Sequence, residues 1–565
     1  MIETSPSQAS SGPLHGNAGA GAAASSAGAG AASGAASGAS SGAAPSAAPE
    51  TRPVAPHDGS RNDDPAGHAT GAGPAGDHGI TPSPSPGFAV SEWPDTHALY
   101  ERLAALVKQP MRPIRPDAMP KVMRWFDERC AGSKAMATRA QAVIPGGVQH
   151  NLAFNHPFPI AIRQAEGAWL SDIDGNRYLD FLQAGGPTLL GSNPPAVREK
   201  VVAVLNECGP VTGLLHEYEV KLAELVCRHM PGVEMLRMLG SGTEAVMGAV
   251  RLARTHTRKR WVIKIGGAYH GWSDQLVYGM RLPKTGRMEA VGIPRGATAQ
   301  TQECLPNDPE ALRRLLRWNR LRGGTAAVLV EPFGPESGTR PVHKDFNAQV
   351  RRLCDEFGAL LIFDEVVTGF RAGLSGAQGY FGVTPDLTVL GKCLTGGYPM
   401  SGAIGGRKDI MMSLVGGIGT TSRRAFVGGT LSANPMTCVA GYHALLETER
   451  TNAPVMAGRA GDRLRRGLDE IIQRRGLPYV AYNLGSIVHL QTSGVLLLDT
   501  SSLLKLIRVK EEARRRKHMM EEMGAAFTAH GLISVAGSRL YTSLADTDEV
   551  VDEALNRFDD VFALV

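Results

Sequence analysis

Four short segments of this 565-residue chain carry residue types that can bind a phosphate, stack on a flat ring or react with a carbonyl group. Each begins with, or directly follows, an apolar run typical of a buried strand. In an open α/β sheet, ligands bind beyond the carboxyl ends of the strands, so residues at these positions are the first candidates for chemistry. The segments cover residues 239–245, 267–272, 359–366 and 387–394.

The first segment, Leu-Gly-Ser-Gly-Thr-Glu-Ala, is a turn between a predicted strand and a predicted helix. The first backbone N–H groups of a helix have no partner within it, and with the hydroxyls of Ser241 and Thr243 around Gly242 they form a cradle for a phosphate. The glycine spacing also fits a dinucleotide-binding turn, but the next strand ends without the acidic residue that would hold a ribose. The remaining alternative is an ordinary helix capped by Ser241 or Thr243.

The second segment, Gly-Ala-Tyr-His-Gly-Trp, places an aromatic ring close to glycines. Because glycines let a ligand approach the backbone closely, the ring of Tyr269 can lie flat against a planar ligand. The alternative is a loop with a buried tyrosine and a hydrogen-bonded His270.

The third and fourth segments each end an apolar run with a charged residue. Asp364 follows residues 359–363, and a carboxylate at the mouth of a buried strand must be paired or its pKa rises. A protonated pyridine nitrogen is a suitable partner, and a capping or salt-bridged aspartate is the alternative. Lys392 follows residues 387–390. Partial burial or a cationic neighbour can lower its pKa and allow a Schiff base with an aldehyde, whereas the alternative is a surface lysine.

Together the four segments supply a phosphate cradle, a stacking ring, a carboxylate for a ring nitrogen and an amine for an aldehyde. These are the groups that bind pyridoxal 5′-phosphate, PLP. The combination predicts PLP binding more strongly than any one segment does.

The elements that must position these groups alternate along the middle of the chain. Apolar runs at residues 235–239, 261–265, 326–330, 359–363 and 387–390 predict strands, with helices from Thr243 and over residues 345–357. Such alternation predicts a mostly parallel sheet with helices on its faces. Helices are also predicted around residues 97–108 and 119–143, a hairpin over 168–182, and a smaller α+β unit from about residue 434.

Composition excludes several classes of protein. The net charge is +5, from 59 basic and 54 acidic residues, without the basic block that nucleic-acid binding favours. Seven scattered cysteines without a C-x-x-C pair predict neither a disulfide framework nor a metal site, and they favour the cytoplasm. Residues 1–88 are rich in Ala, Gly and Ser, so a disordered tail is expected rather than a signal peptide or a membrane span.

Several motifs resemble those of class III aminotransferases, and within them the branch similar to glutamate-1-semialdehyde 2,1-aminomutase. They are Ser-Gly-Thr-Glu-Ala from Ser241, Tyr-His-Gly from Tyr269, Asp-Glu-Val-Val-Thr-Gly-Phe-Arg from Asp364, Gly-Lys at Lys392, and Gly-Thr-Leu-Ser-Ala-Asn-Pro around Thr430. The resemblance runs from about residue 131 to the C-terminus.

The resemblance implies the α/β fold of the fold type I PLP-dependent transferases. That fold has a large domain around a mostly parallel seven-stranded sheet and a smaller α+β domain. The corresponding ranges are a disordered tail at 1–88, an N-terminal segment with part of the small domain at 89–200, the large PLP-binding domain at 201–433 and the C-terminal small domain at 434–565. A homodimer with shared active sites is also implied.

The resemblance further implies roles for single residues. Lys392 would bind the cofactor as a Schiff base and then carry protons, while Asp364 would pair with the pyridine nitrogen. Val366 and Tyr269 would lie on the two ring faces, with His270 beside them. The segment from Ser241 to Thr243 would hold the phosphate, which Thr430 of the partner subunit would also reach.

Substrate identity depends on positions where the chain departs from this branch. The aminomutases usually carry Pro-Gly-Gly-Val-Asn-Ser-Pro-Val-Arg, whose arginine contacts the substrate carboxylate, but the segment from Pro145 reads Pro-Gly-Gly-Val-Gln-His-Asn-Leu-Ala. Gly185 stands where a tryptophan is expected, which would enlarge or reshape the pocket, and Glu217 aligns with a family acid.

Losing the arginine removes an interaction of about 2–3 kcal/mol. We therefore expect ping-pong amino transfer from a small-molecule amino donor to a carbonyl acceptor, with no nucleic-acid or membrane partner. The alternative is intramolecular amino transfer on glutamate 1-semialdehyde. An interaction protein with a degenerate enzyme domain is a further alternative, which the intact Lys392 and Asp364 oppose.

Overall fold

The computed structural model describes residues 87–153, 155–210, 213–286, 291–415, 423–498, 503–535 and 538–565. The predicted tail therefore lies outside the described residues, except for Gly87 and Phe88. The ring of Phe88 packs edge-on against Tyr380 at 5.5 Å between centroids.

The strands of the described part, in chain order, are β1 Ile162–Glu166, β2 Trp169–Asp172, β3 Arg177–Asp180, β4 Met235–Leu239, β5 Trp261–Ile265, β6 Thr301–Cys304, β7 Thr325–Val330, β8 Leu360–Asp364, β9 Leu387–Leu390, β10 Gly402–Gly406, β11 Val480–Leu484, β12 Ile487–Gln491, β13 Leu532–Ile533 and β14 Arg539–Tyr541.

The helices are α1 Thr96–Lys108, α2 Met119–Arg129, α3 Ala131–Gln141, α4 Pro195–Glu207, α5 Glu217–His229, α6 Gly242–Thr257, α7 Arg295–Thr298, α8 Pro309–Arg320, α9 Pro335–Gly338, α10 Phe346–Phe357, α11 Gly376–Phe381, α12 Lys408–Met411, α13 Pro435–Thr451, α14 Ala453–Arg474, α15 Leu503–Ala529 and α16 Asp548–Phe562.

The central sheet has seven strands in the order β4-β10-β9-β8-β7-β5-β6. β10 is antiparallel to both of its neighbours, whereas β5–β6, β5–β7, β7–β8 and β8–β9 are parallel pairs. The predicted α/β fold with a mostly parallel seven-stranded sheet is confirmed. The five predicted strands are present, while β6 and β10 were not predicted.

Helices cover both faces of this sheet because successive side chains of a strand point to opposite sides. On one face, Val328 and Leu361 share a hydrophobic cluster with Leu316 of α8 and Val350 of α10. On the other, Leu329 and Ile362 cluster with residues of α6. All residues of β7 and β8 are buried, which explains their continuous apolar sequences.

Two smaller sheets lie outside the central one, with strand orders β1-β2-β3-β13 and β11-β12-β14. The predicted hairpin is present as β2 and β3, which pair antiparallel. β13, from near the C-terminus, pairs parallel with β3. Strands from the ranges 89–200 and 434–565 therefore share one sheet.

The helix predicted over 119–143 is interrupted at Cys130, where α2 ends and α3 begins. The carboxylate of Asp174 accepts hydrogen bonds from the backbone N–H groups of Gly132 (2.6 Å) and Ser133 (2.9 Å). These N–H groups start α3, so a residue of the hairpin caps the second helix and fixes the break. Local periodicity could not reveal this distant contact.

Within the ranges that the structure describes, no helix is long and apolar enough to cross a membrane.

Candidate active site

The four segments selected from the sequence meet beyond the carboxyl ends of β4, β5, β8 and β9 in the central sheet. A Cβ atom placed on Gly242 would lie 2.9 Å from Val366 Cγ2, and one on Gly391 would lie 3.2 Å from Val366 Cγ1. A Cβ on Gly271 would lie 2.4 Å from Thr243 Oγ1. The glycines thus permit close contact between the loops, and the segments converge.

The start of α6 offers the N–H groups expected of a phosphate site. Ser241 is the N-cap, and its hydroxyl accepts a hydrogen bond from Glu244 N at 3.3 Å. The Glu244 carboxylate in turn accepts one from Gly240 N at 2.9 Å. Ser241, Gly242 and Thr243 are partly exposed, so an anion can reach the first N–H groups of the helix.

Asp364 and His270 form a buried pair. His270 Nδ1 lies 2.7 Å from Asp364 Oδ2, and the backbone N–H of Val366 donates to Asp364 Oδ1 at 3.1 Å. Burial lowers the pKa of His270, although the bond to Asp364 opposes this shift. His270 Nε2 is buried and has no hydrogen-bond partner in the described part of the chain. The carboxylate is therefore oriented by two donors.

Lys392 follows β9 in a strained backbone conformation, with φ of 47°. Its backbone N–H donates to Ser401 Oγ at 3.1 Å. Burial lowers the pKa of the Lys392 amine, and the nearby guanidinium groups of Arg539 and Arg371 reinforce the shift. A larger share of the amine is therefore neutral, the form that attacks a carbonyl carbon.

Tyr269 and Val366 lie on two of the loops that meet here. The Tyr269 side chain is 48% exposed, and its backbone N–H donates to Glu331 Oε1 at 2.9 Å. Val366 is partly buried between the loops of Gly242 and Gly391.

Gly185 forms part of the wall beside the Lys392 amine. A Cβ on Gly185 would lie 3.7 Å from Lys392 Nζ and 3.0 Å from Leu152 Cδ1. All four residues 183–186 have positive φ, a conformation that only glycine adopts readily. The wall is therefore formed by strained backbone, and a side chain at position 185 would press on Leu152.

The two remaining sequence-selected residues lie on exposed surface. Glu217 is the first residue of α5 and pairs with Lys221 of the same helix. Thr430 is exposed, and a Cβ on its neighbour Gly429 would lie 3.6 Å from Glu244 Oε2. Neither residue shows a contact with Lys392 in the described part of this single chain.

Sequence reasoning missed Glu331, which directly follows β7. Its carboxylate accepts hydrogen bonds from the backbone N–H groups of Tyr269 (2.9 Å), Glu336 (2.8 Å) and Ser337 (2.5 Å). Burial raises the pKa of Glu331 to about 8, although these bonds oppose the shift. The signal was available, because an acid after an apolar strand is the pattern that selected Asp364.

Arg539, at the start of β14, was also missed. Its guanidinium donates to the carbonyl oxygen of Glu336 at 3.1 Å and to Glu336 Oε1 at 3.2 Å. Its Nε is buried without a hydrogen-bond partner among the described residues. The sequence gives no local signal for this arginine, because it enters the site from a different sheet.

Lys264 lies inside β5 and is fully buried. Its ammonium donates to the carbonyl oxygens of Ala268 (3.0 Å), Leu276 (3.1 Å) and Tyr278 (2.8 Å). Because Ala268 immediately precedes Tyr269 and His270, these hydrogen bonds fix the loop that carries both residues. A lysine within an apolar run was the signal that sequence reasoning passed over.

The residues present fit PLP. The open helix start can bind a phosphate, the Asp364 carboxylate can hold a proton on a ring nitrogen, and the amine of low pKa can react with an aldehyde. In the described part of the chain, no group of three or more His, Cys, Asp or Glu side chains could hold a metal ion.

Comparison with known proteins agrees with this chemistry. The family model "Aminotransferase class-III" matches residues 152–562. Glutamate-1-semialdehyde 2,1-aminomutase 1 of Lachnoclostridium phytofermentans is 40% identical over 361 residues, covering 63% of this chain and 82% of that protein.

Solved structures of similar fold include a transaminase and a PLP-bound protein. An omega-transaminase from Sphaerobacter thermophilus superposes with a TM-score of 0.68 at 28% identity, covering 78% of this chain and 98% of its own. The PLP internal aldimine form of the FumI protein from Sphingopyxis sp. MTA144 superposes with a TM-score of 0.65 at 25% identity, covering 76% of this chain and 95% of its own.

Proposed function

The chain belongs to the class III aminotransferases, and from this premise we propose that it transfers an amino group from an amino donor to a carboxylate-bearing carbonyl acceptor at Lys392. The enzyme is PLP-dependent, as members of this family are. The bound cofactor supplies an aldehyde that captures amines and a ring that withdraws electrons.

The residues of this chain have separate tasks in the proposed reaction. Lys392 binds the cofactor and, once released, moves a proton to or from the substrate carbon that carries nitrogen. Asp364, oriented by His270, keeps a proton on the ring nitrogen. Tyr269 and Val366 confine the ring between them. The start of α6, from Ser241 to Thr243, holds the phosphate.

Arg539 is the observation that supports an acceptor bearing a carboxylate. The segment from Pro145 lacks the carboxylate-binding arginine of the aminomutases, but Arg539 supplies a cation, 12% exposed, near the Lys392 amine. Its pairing with Glu336 shows that the guanidinium can bind a carboxylate at this position. A substrate carboxylate that replaces Glu336 would be anchored by a charge-assisted hydrogen bond.

A second candidate function is glutamate-1-semialdehyde 2,1-aminomutase activity. The relative from Lachnoclostridium phytofermentans that carries this name is 40% identical to the chain. Incubation with single substrates separates the two functions. In a transferase, an amino donor alone yields one product per site and turnover requires an acceptor. Full turnover of glutamate 1-semialdehyde without a donor would contradict the proposal.

The role of Arg539 is tested by Arg539→Gln. We expect the KM for a keto-acid acceptor to rise about 100-fold, because a charge-assisted bond worth about 2–3 kcal/mol is lost. An aldehyde acceptor without a carboxylate should change little. Arg281→Gln is the control, because Arg281 also faces Glu336, at 3.7 Å, but is largely exposed. Equal effects on both acceptors would remove Arg539 from the proposal.

The active enzyme is proposed to be a homodimer that shares its sites through Thr430. Large exposed apolar side chains near the site loops support this, among them Trp272 and Phe426. Mixing Lys392→Ala and Thr430→Ala subunits should restore activity, because each hybrid dimer then contains one intact site. No restoration would place Thr430 in the site of its own subunit.

The domain ranges and the compartment are further parts of the proposal. The range 201–433 contains all seven strands of the central sheet, which supports a large domain with these bounds. All seven cysteines are free, which supports a reducing compartment such as the cytoplasm.

A further inference from the structure

A group of cationic side chains lies at the amino ends of β5 and β7. Lys392 lies at the opposite side of the central sheet, beyond the carboxyl end of β9. The turn before β5 packs there against the turn before β7. Arg260 N donates to the carbonyl oxygens of Gly323 and Gly324 (both 3.2 Å), and Trp261 Nε1 donates to Arg322 O (3.0 Å). We call the cationic and exposed apolar residues of the two segments that lead into these strands the basic surface: Arg258, Lys259, Arg260, Arg317, Trp318, Arg320, Leu321 and Arg322.

The six cations of the basic surface form no ion pair with an acidic side chain of the described residues. Neighbouring acids are engaged elsewhere: Glu310 and Glu356 pair with Arg313, and Asp355 pairs with Arg351. Lys259 donates to the backbone carbonyls of Phe357 and Gly358, which do not neutralise its charge. Like charges on two adjoining segments repel one another, and an anionic partner would relieve that repulsion.

The centre of the basic surface is apolar and ordered by a guanidinium group. Arg322 Cζ lies 4.7 Å from the centroid of the Trp261 ring and 5.6 Å from that of Trp318. The side chain of Trp318 is 57% exposed and that of Leu321 is 83% exposed. Arginine and tryptophan around a small apolar centre are the residue types that dominate binding energy at protein interfaces.

From this arrangement we propose that the basic surface docks an acidic segment of another polypeptide, with an apolar side chain against Trp318 and Leu321. Carboxylates of the partner would bind Arg258 and Arg320 through paired N–H donors. Single-stranded nucleic acid would need free ring faces for stacking, whereas Arg322 lies over both tryptophans. A membrane surface would need a broad apolar face, but Leu312 and Leu316 of α8 are buried in the core.

The proposal is tested with the full-length holoenzyme and a fluorescein-labelled peptide of glutamate and leucine in an amphipathic helical pattern. We expect saturable binding by fluorescence anisotropy that weakens as sodium chloride is added. The double variant Arg258→Glu, Arg320→Glu should bind at least about tenfold more weakly, with transaminase activity and thermal melting unchanged. Arg466→Glu, an exposed charge reversal on α14, is the matched control and should bind normally.

Three outcomes would overturn the proposal. One is equal binding of the same peptide with glutamine in place of glutamate. Another is unchanged binding by the double variant, or by Arg320→Gln in the event that the double variant does not fold. The third is tighter binding of oligothymidylate or of phosphatidylserine vesicles than of the acidic peptide, which would assign the surface to a different class of partner.

Discussion

At the scale of single residues, Lys392 has an amine whose charged form is disfavoured from several directions. Burial lowers its pKa most, and the guanidinium groups of Arg539 and Arg371 add to this effect, while Asp364 opposes it. Before the cofactor binds, folding must therefore bury a cation or release a proton. Either process lowers the free energy of unfolding, and active sites often reduce protein stability in this way.

Replacing Lys392 by Met should make the cofactor-free protein more stable at pH 7, on the order of 1 kcal/mol. The pKa of Lys392 is lower in the folded state than in the unfolded chain, so the cost is present at neutral pH and shrinks as the pH rises toward the unfolded value. Denaturant unfolding at pH 7 and pH 10 measures it. A less stable variant at pH 7 would contradict the expectation.

The same variant should lose at least about 10³-fold in kcat, because the covalent attachment of the cofactor is lost. Borohydride treatment should fix the cofactor to the wild-type chain at Lys392 but not to the variant, as read by peptide mass spectrometry. Lys408→Met, at an exposed lysine, is the control and should behave as the wild type.

Two buried carboxyl groups beside the strained segment 183–186 should make stability depend on pH. Burial raises the pKa of Asp180 to about 6 and that of Asp546 to about 7, and both side chains bond to Gln183. A raised folded-state pKa means that stability is complete at low pH and is lost as the pH rises through that value.

Asp546→Asn removes one of these titrations. Relative to this variant, the wild type should lose about 1–3 kcal/mol of unfolding free energy between pH 5 and pH 8. Urea unfolding across this range measures the difference. Asp559→Asn is the control, because Arg475 lowers the pKa of Asp559 and no such loss is expected there. A constant difference for Asp546→Asn would show that its pKa is not raised.

At the same scale, the sequence located the candidate residues that follow apolar strands. Asp364, Lys392 and Tyr269 were selected because strand ends are visible in local hydrophobicity, and their roles stay predictions. Arg539 was not, because its place beside Lys392 depends on how β14 packs, and no local pattern encodes that contact.

At the scale of elements, the prediction failed where strands are not apolar. β10 has the sequence Gly-Ala-Ile-Gly-Gly, and glycine is rare in strand interiors. Its neighbours require it here: a Cβ on Gly402 would lie 2.2 Å from Ser241 O, and one on Gly406 would lie 2.5 Å from Leu387 Cδ2. β6, Thr-Gln-Glu-Cys, is a polar edge strand. In both, tertiary packing overrides local propensity.

Gly271→Ala tests how the loop of His270 meets α6. Its φ is +80°, and the new Cβ would lie 2.4 Å from Thr243 Oγ1 and 2.7 Å from Thr243 Cα. We expect a loss of about 2–4 kcal/mol in stability from strain and overpacking, and weaker PLP retention. Thermal melting and cofactor absorbance after gel filtration measure the two effects.

Gly175→Ala is the control that measures the effect of backbone strain without a steric contact. Gly175 has a φ of +90° but nothing within 4 Å of the new Cβ. It should lose only about 1–2 kcal/mol and keep its cofactor. Equal behaviour of the two variants would mean that the contact between Gly271 and Thr243 is unimportant.

At the scale of the whole molecule, the first described residues pack into the hydrophobic core. Ala89, Val90 and Trp93 are buried, and the Trp93 ring packs on Phe333 and Phe381 at 5.3 and 4.9 Å. The composition changes abruptly near residue 88, from Ala, Gly and Ser to a mixed sequence, and the tail over 1–88 stays a prediction.

Deleting residues 1–86 should leave cofactor content and melting temperature unchanged, because the described core and site are built from later residues. Deleting residues 1–95 should destabilise the protein by at least about 3 kcal/mol, since the buried Trp93 is removed. Calorimetry of both truncated proteins checks this. Loss of the cofactor from the shorter deletion would show that the first 86 residues support the site.

The parallel pairing of Leu532 with Leu179 and of Ile533 with Asp180 has a consequence for biosynthesis. The ribosome completes β3 about 350 residues before it supplies the strand that covers it. At translation rates of about 5–20 residues per second, the nascent chain waits for roughly 20–70 s with that edge open. Chaperones that shield the growing polypeptide during this interval should therefore govern how much active enzyme a cell obtains.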